Sequence, residues 1–176
     1  GDSLTGGYII KLDKYTGTGG TDWLSDFPNL GGGPRYIQYH YPEASVMQPQ
    51  QLYYIESFVD SFENALAGPN FADSAIGYSR YIDVNSFIDL YIINELSRNI
   101  DGYRLSTYMY KDRDNNEGKL TMGPFWDYNL AYGNADYCNG GITSGWEIDD
   151  GGGCSGSNPF WFERLLDDTT YQNKLK

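Results

Sequence analysis

The stretch that most constrains this chain is residues 83–97, a helical segment that is apolar most of the way round. Phe87, Ile88, Tyr91, Ile92, Ile93 and Leu96 leave little of its circumference polar, and a helix of that kind is normally central to a fold. Asp83 stands where an N-cap belongs, and Arg98-Asn99 ends the segment. Asp101 follows in a loop closed by Gly102. Residues 105–111 and 119–125 then read as two strands joined by the turn-forming DRDNNEG, a β-hairpin. Trp126-Asp127-Tyr128-Asn129 comes directly after the second strand. A hairpin brings its own ends together, so Asp101 and Asp127 are expected to be neighbours in space.

The remaining segments read as support. Residues 6–13 and 36–41 are predicted strands, the second stopped by Pro42 and carrying His40, the only histidine. A lone strand histidine reads as packed or solvated rather than catalytic. The Gly-rich TGTGG at 16–20 lacks a following Lys-Ser/Thr and reads as a turn, not a phosphate cradle. Residues 22–33 read as irregular. In 49–67, Leu52, Ile55, Val59, Phe62 and Leu66 define one face of an amphipathic helix, with Pro49 in its first turn and Gly68-Pro69 ending it. Glu56, Asp60 and Glu63 lie off that face and are expected to be solvated. A short helix is predicted over 159–166, and another begins at 169. Asp112, Asp114 and Asn116 have the 1-3-5 spacing of a calcium loop. Glu117 and Gly123 stand where such a loop needs its glycine and its bidentate glutamate, so a bare turn is expected.

Composition narrows the function classes. Twenty-four acidic against 12 basic residues give a net charge of −12, which argues against nucleic-acid binding and suits recruitment of a divalent cation. No apolar run approaches the roughly 20 residues of a membrane span. The chain opens at Gly1-Asp2 without a basic-then-apolar stretch, which reads as the cut edge of a longer protein. Cys138 and Cys154, the only cysteines, either pair or remain buried thiols. With one histidine they cannot complete a zinc site, and pairing would place the chain in an oxidising compartment.

Two loop carboxylates at the ends of buried elements suit phosphoryl transfer from ATP. That chemistry needs an acid to orient the acceptor hydroxyl and oxygen ligands to hold Mg²⁺ against the phosphates. Protein kinases supply them in the order found here: helix, loop with a base Asp, hairpin, loop with a metal Asp. The bland alternative is that each Asp caps a turn.

Several segments resemble the spore-coat CotH kinase family, especially its secreted or surface-associated bacterial versions. They are GGYIIKLD (6–13), YPE (41–43) with Gln51 and the following helix, NELSRNIDGY (94–103), STYMYKD (106–112), GPFWDYNLAYGN (123–134) and FERLL (162–166). The likeness runs along the whole chain in order. It implies an atypical protein-kinase-like fold that uses ATP and Mg²⁺ to phosphorylate a protein outside the cell or at its surface. By position, Asp101 matches the catalytic Asp, Asp127 the metal-binding Asp, and Asn129 an Asn or Asp two residues further on.

Two departures qualify that likeness. Ser106 stands where many members carry Asn and where an ordinary kinase places its second metal ligand, and a serine hydroxyl is a poorer Mg²⁺ ligand. No Gly-rich strand pair with a following Lys–Glu pair is found either. The expected fold is therefore α+β: a single domain over 1–176 equivalent to a kinase C-terminal lobe, mostly helical, with a hairpin carrying the catalytic and metal loops. Without the small lobe, this piece alone is expected to be inactive. The alternatives are a non-catalytic extracellular protein- or carbohydrate-binding module, suggested by 17 Tyr and four Trp, and a glycosidase with Asp101 and Asp127 as its carboxylate pair.

Overall fold

The computed structural model describes residues 2–14, 21–149 and 154–176. The Gly-rich turn expected at 16–20 lies outside them. A short helix α1 (Asp2–Thr5) leads into β1 (Tyr8–Leu12), β2 (Asp22–Leu24) and β3 (Tyr36–Tyr41). Then come α2 (Pro49–Ala67), α3 (Val84–Ser97), the hairpin β4 (Thr107–Lys111) and β5 (Leu120–Phe125), and two short helices, α4 (Trp161–Leu166) and α5 (Thr169–Lys174).

The strands form one antiparallel sheet in the order β2-β3-β1-β4-β5. The hairpin, expected within a mostly helical domain, is thus the edge of a five-stranded sheet. Part of the segment read as irregular, Asp22–Leu24, joins that sheet through β3. Alternation decides the faces. Tyr8, Ile10 and Leu12 of β1, Met109 of β4, and Leu120 and Met122 of β5 point into one core. Ile9, Tyr108 and His40 lie on the opposite face, where His40 meets Tyr108 edge-on at 5.2 Å.

Helices α2 and α3 complete that core. Ile55, Val59, Phe62 and Leu66 are buried as the spacing predicts. Phe62 contacts Phe87 of α3 at 5.9 Å and Trp161 of α4 at 5.4 Å between ring centroids. The α2 N-terminus is closed reciprocally by Gln48 and Gln51, with Pro49 in the first turn. Asp83 caps α3 by accepting from the Asn85 amide at 3.0 Å. Cys138 and Cys154 are joined by a disulfide, with their Cα atoms 5.3 Å apart.

Lys111 and Glu63 are among the charged residues that lie inside. Lys111, expected merely to end a strand, has its side chain fully enclosed. It donates to the Thr5 carbonyl at 2.6 Å and to Asp114 Oδ1 at 2.8 Å, and it sits over the Phe58 ring at 4.6 Å. Asp114 also accepts from the Tyr54 hydroxyl at 3.0 Å, and Asp112 from the Arg113 amide at 2.7 Å. The hairpin carboxylates are thus engaged with protein donors, in keeping with a turn.

Glu63 corrects an expectation. Helical spacing puts it on a solvated face of α2, yet it is only 1% exposed. It accepts from Ser25 Oγ at 2.6 Å and from the Trp161 indole at 2.8 Å. Those partners lie 38 and 98 residues away in sequence, so helical spacing alone could not reveal them. Burial pushes its carboxyl up to about 7; the two hydrogen bonds and the nearby Arg35 oppose the shift, and Asp60 adds to it.

Because the folded pKa is raised, this group stabilises the fold most below the unfolded value, and that contribution is lost as pH rises through about 7. The wild type should therefore lose stability relative to Glu63→Gln between pH 5 and pH 8. The differential is of order 3 kcal/mol, from about 1.4 kcal/mol per pKa unit. Urea denaturation of both proteins at the two pH values checks it; a difference that does not change with pH would contradict it.

Candidate functional site

The site is built on the C-terminal end of α3. A helix end leaves carbonyls without intrahelical partners. Arg98 turns the chain by adopting a left-handed conformation, φ 46°, and its amide donates to the Asn94 and Glu95 carbonyls. The Asn99 amide adds a second donor to the Asn94 carbonyl at 3.0 Å. The chain then passes through Asp101 into a tight turn, where the Gly102 amide reaches the Asn99 carbonyl at 2.8 Å.

Asp101 is 7% exposed. Arg104, three residues on, donates to its Oδ1 at 2.6 Å. Arg104 is itself held by the Ile100 carbonyl at 3.1 Å. The Asp101 backbone amide donates to the Asn99 side chain at 3.3 Å, and its carbonyl accepts from the Leu105 amide at 2.9 Å. The Tyr137 hydroxyl also hydrogen-bonds to the Asp101 carboxylate. Slight burial first, and then the Asp101 charge, raise the Tyr137 phenol, while Arg104 opposes the shift.

Asp127 has the opposite character. It is exposed, holds a left-handed conformation of φ 62°, and has no hydrogen bond or ion pair to its carboxylate among the described residues. Its loop is nonetheless anchored. The Tyr128 hydroxyl donates to Asn94 Oδ1 at 3.0 Å, and the Tyr132 amide donates to the Ser97 carbonyl at 2.7 Å. Asn129 is exposed, with its carbonyl accepting from the Asn134 side chain at 2.6 Å. The α3 end therefore anchors both acidic loops. The hairpin supplies a second link, since Thr107 pairs with Phe125, which sets Ser106 and Trp126 at adjoining strand ends. Ser106 has φ 49°, and its backbone amide donates to Asp13 at the end of β1.

Asn94 is the residue this arrangement turns on. It is 1% exposed, and its Nδ2 has no hydrogen-bond partner. A Cβ built on Gly102 would lie 2.7 Å from Asn94 Cγ and 2.8 Å from the Asn99 carbonyl, so only glycine fits. The residues missed from sequence are Asn94, Arg104, Tyr128 and Tyr137. Two signals were available: a polar residue inside an apolar helix, and the i,i+3 spacing of Asp101 and Arg104.

No group of three or more His, Cys, Asp or Glu side chains able to hold a metal is found among the described residues. An uncommitted Asp127 carboxylate with an exposed amide two residues on still suits Mg²⁺. That ion keeps several waters and binds through one or two protein carboxylates plus substrate phosphates.

A family model described as CotH kinase protein matches residues 5–176. The chain belongs to the CotH kinase family. No curated protein and no solved structure matches it. The α+β architecture around one antiparallel sheet fits a kinase-like fold for this family member, and the family suggests a kinase-like function with general use of ATP and Mg²⁺.

Replacing Gly102 with Ala should destabilise the protein by about 1–3 kcal/mol through overpacking against Asn94 and the Asn99 carbonyl. Denaturant titration measures the loss. An unchanged midpoint would show that the two loops do not close against this helix end.

Proposed function

We propose that this CotH family chain carries the catalytic and metal loops of an ATP-dependent protein kinase, with Asp101 as the base and Asp127 as the Mg²⁺ ligand. The observation that carries the reading is the shared anchor: Tyr128 of the Asp127 loop and Gly102 of the Asp101 loop both close on Asn94. One rigid helix end thus supports two carboxylates of contrasting character, one buried and paired, the other exposed and uncommitted.

In this reading Arg104 and Tyr137 orient the Asp101 carboxylate, and the acceptor hydroxyl takes the place of the Tyr137 hydroxyl to hydrogen-bond to Asp101 and give up its proton during transfer. Asp127 and Asn129 offer the oxygens that would hold Mg²⁺, with the Ser106 hydroxyl as a weak additional ligand. Bound Mg²⁺ and ATP would supply the γ-phosphoryl group and neutralise the charge on it. The exposed Trp126 adjoins Asp127 and lines a cavity of about 330 Å³ with Ile9, His40, Tyr108 and Pro124. The acceptor is a serine or threonine of a surface or extracellular protein. The Cys138–Cys154 disulfide supports a secreted or cell-surface location, and no helix among the described residues is long and apolar enough to cross a membrane.

The test uses the full-length protein. ATP with Mg²⁺ should raise its melting temperature by several degrees, and Asp127→Ala should abolish that rise. Asp101→Ala should keep nucleotide stabilisation while losing about 10²–10⁴-fold in radiolabel transfer to a casein-like acceptor, the usual contribution of a positioned base. Undiminished labelling by Asp101→Ala removes it as the base. A wild type that nucleotide and metal fail to stabilise defeats the kinase reading and favours a binding module.

A further inference from the structure

Tyr137 is 42% exposed, yet its hydroxyl is not left to solvent. It hydrogen-bonds to the Asp101 carboxylate, which already has a cation partner in Arg104. With Asp101 as the base, a hydroxyl hydrogen-bonded to that carboxylate is what an acceptor must present. The chain presents one of its own, from beyond the hairpin and the Asp127 loop.

The turn that carries Tyr137 is built to stay in place. Ala135 is buried, and Gly140 folds back on it so closely that an added Cβ would lie 2.8 Å from the Ala135 Cβ and 3.0 Å from its carbonyl oxygen. The Gly140 amide donates to the Tyr137 carbonyl at 3.0 Å, and the Ile142 amide donates to that of Asn139 at 3.0 Å. Between them Cys138 and Asn139 take consecutive left-handed conformations, φ 48° and 57°. Residues with side chains hold such a backbone only where neighbouring contacts fix it. The Cys138–Cys154 disulfide is one of those contacts. Its far end is fastened to the loop between β2 and β3. The Ser157 amide donates to the Cys154 carbonyl at 2.9 Å, the Leu30 amide to the Asn158 carbonyl at 3.0 Å, and the Gly31 amide to the Gly156 carbonyl at 2.7 Å. The residue that meets the base is thus the immediate neighbour of a cross-link to a distant part of the chain.

We propose that the turn over 135–140 is an autoinhibitory plug: locked by the Cys138–Cys154 disulfide, it keeps the Tyr137 hydroxyl on Asp101 in the place of an acceptor hydroxyl, and a protein acceptor enters only when the turn lifts. The proposal rests on the assignment of Asp101 as the base. A site that is competent in only a fraction of the molecules binds its ligand with an affinity reduced by that fraction. The plug therefore weakens the acceptor and spares the nucleotide, because the exposed Asp127 carboxylate belongs to another loop and has no described partner.

The test uses full-length protein and radiolabel transfer from ATP with Mg²⁺ to casein, over a range of casein concentrations. Tyr137→Phe keeps the ring and removes only the hydroxyl. Its KM for casein should fall about three- to tenfold, the range of a typical net hydrogen bond, while the rise in melting temperature given by ATP with Mg²⁺ stays that of the wild type. Cys138→Ser with Cys154→Ser should also lower the KM. Adding Tyr137→Phe to that pair should lower it no further, since a turn that has left Asp101 has no hydrogen bond to lose. Circular dichroism checks that the serine pair folds; where it does not, the Tyr137→Phe comparison decides alone. Equal KM values for the wild type and Tyr137→Phe overturn the plug and leave the kinase reading standing, as does a folded serine pair with the wild-type KM. A lower kcat at unchanged KM in Tyr137→Phe overturns it too, because Tyr137 would then stay on Asp101 during transfer. So does phosphate recovered on Tyr137, which would make it an acceptor. Labelling by neither protein defeats the base assignment and the plug together.

Discussion

The carbonyls left over at the C-terminal end of α3 are the constraint on which the site depends. Buried backbone acceptors must find donors, and here the donors come from both acidic loops. Arg98 and Asn99 serve the Asn94 and Glu95 carbonyls, and Tyr132 serves that of Ser97. The left-handed step at Arg98 is the local device that turns the chain back to do this. Once it is made, Gly102 lies against Asn94 and Tyr128 hydrogen-bonds to it. Two loops separated by a whole hairpin thereby acquire a common reference point, which a site of fixed geometry requires.

An acidic chain also has to place its few internal charges with care. Lys111 is enclosed and meets three oxygen acceptors and two aromatic rings. Its contact with Thr5 ties α1 to the hairpin turn, so a charge that would be costly alone clamps two distant segments together. Glu63 serves a similar end by joining the loop after β2 to α4. Its two neutral donors compensate burial less completely than an ion pair would, and its raised pKa is the consequence.

Much of this was legible in the residues. The 3.6-residue period set the limits of α2 and α3, and Pro49, Gly68 and Asp83 marked their ends. The acidic loops and the hairpin between them were visible as an ordered string of turn chemistry and strands. What escaped were features decided by distant partners. Glu63 shares a helix with Asp60 and Glu56, and only Ser25 and Trp161 distinguish it. β2 is three residues long and takes its strand character from pairing with β3, which local propensity does not encode. Asn94 was marked only as a polar residue in an apolar helix, because its partners, Gly102 and Tyr128, lie across turns. Ile92 and Leu96 were read as core because nothing in the chain marks that side of α3 as uncovered.

The contrast between the two aspartates follows from where each loop stands. Asp101 is held by Arg104 within the turn that closes α3, so its geometry is set before any ligand arrives. Asp127 follows the end of β5 in a left-handed conformation with no described partner for its charge. In the proposed reaction that division is useful. A base must be aimed within a fraction of an ångström of the acceptor hydroxyl and gains from a rigid turn. A carboxylate that receives a hydrated cation gains from being open and unpaired, since an ion pair there would have to be broken first. The neutral Ser106, at the adjoining strand end, would leave more of an ion's charge compensation to Asp127 and the phosphates. In the proposed reaction, metal affinity would therefore concentrate on Asp127, and Asp101 would position the acceptor.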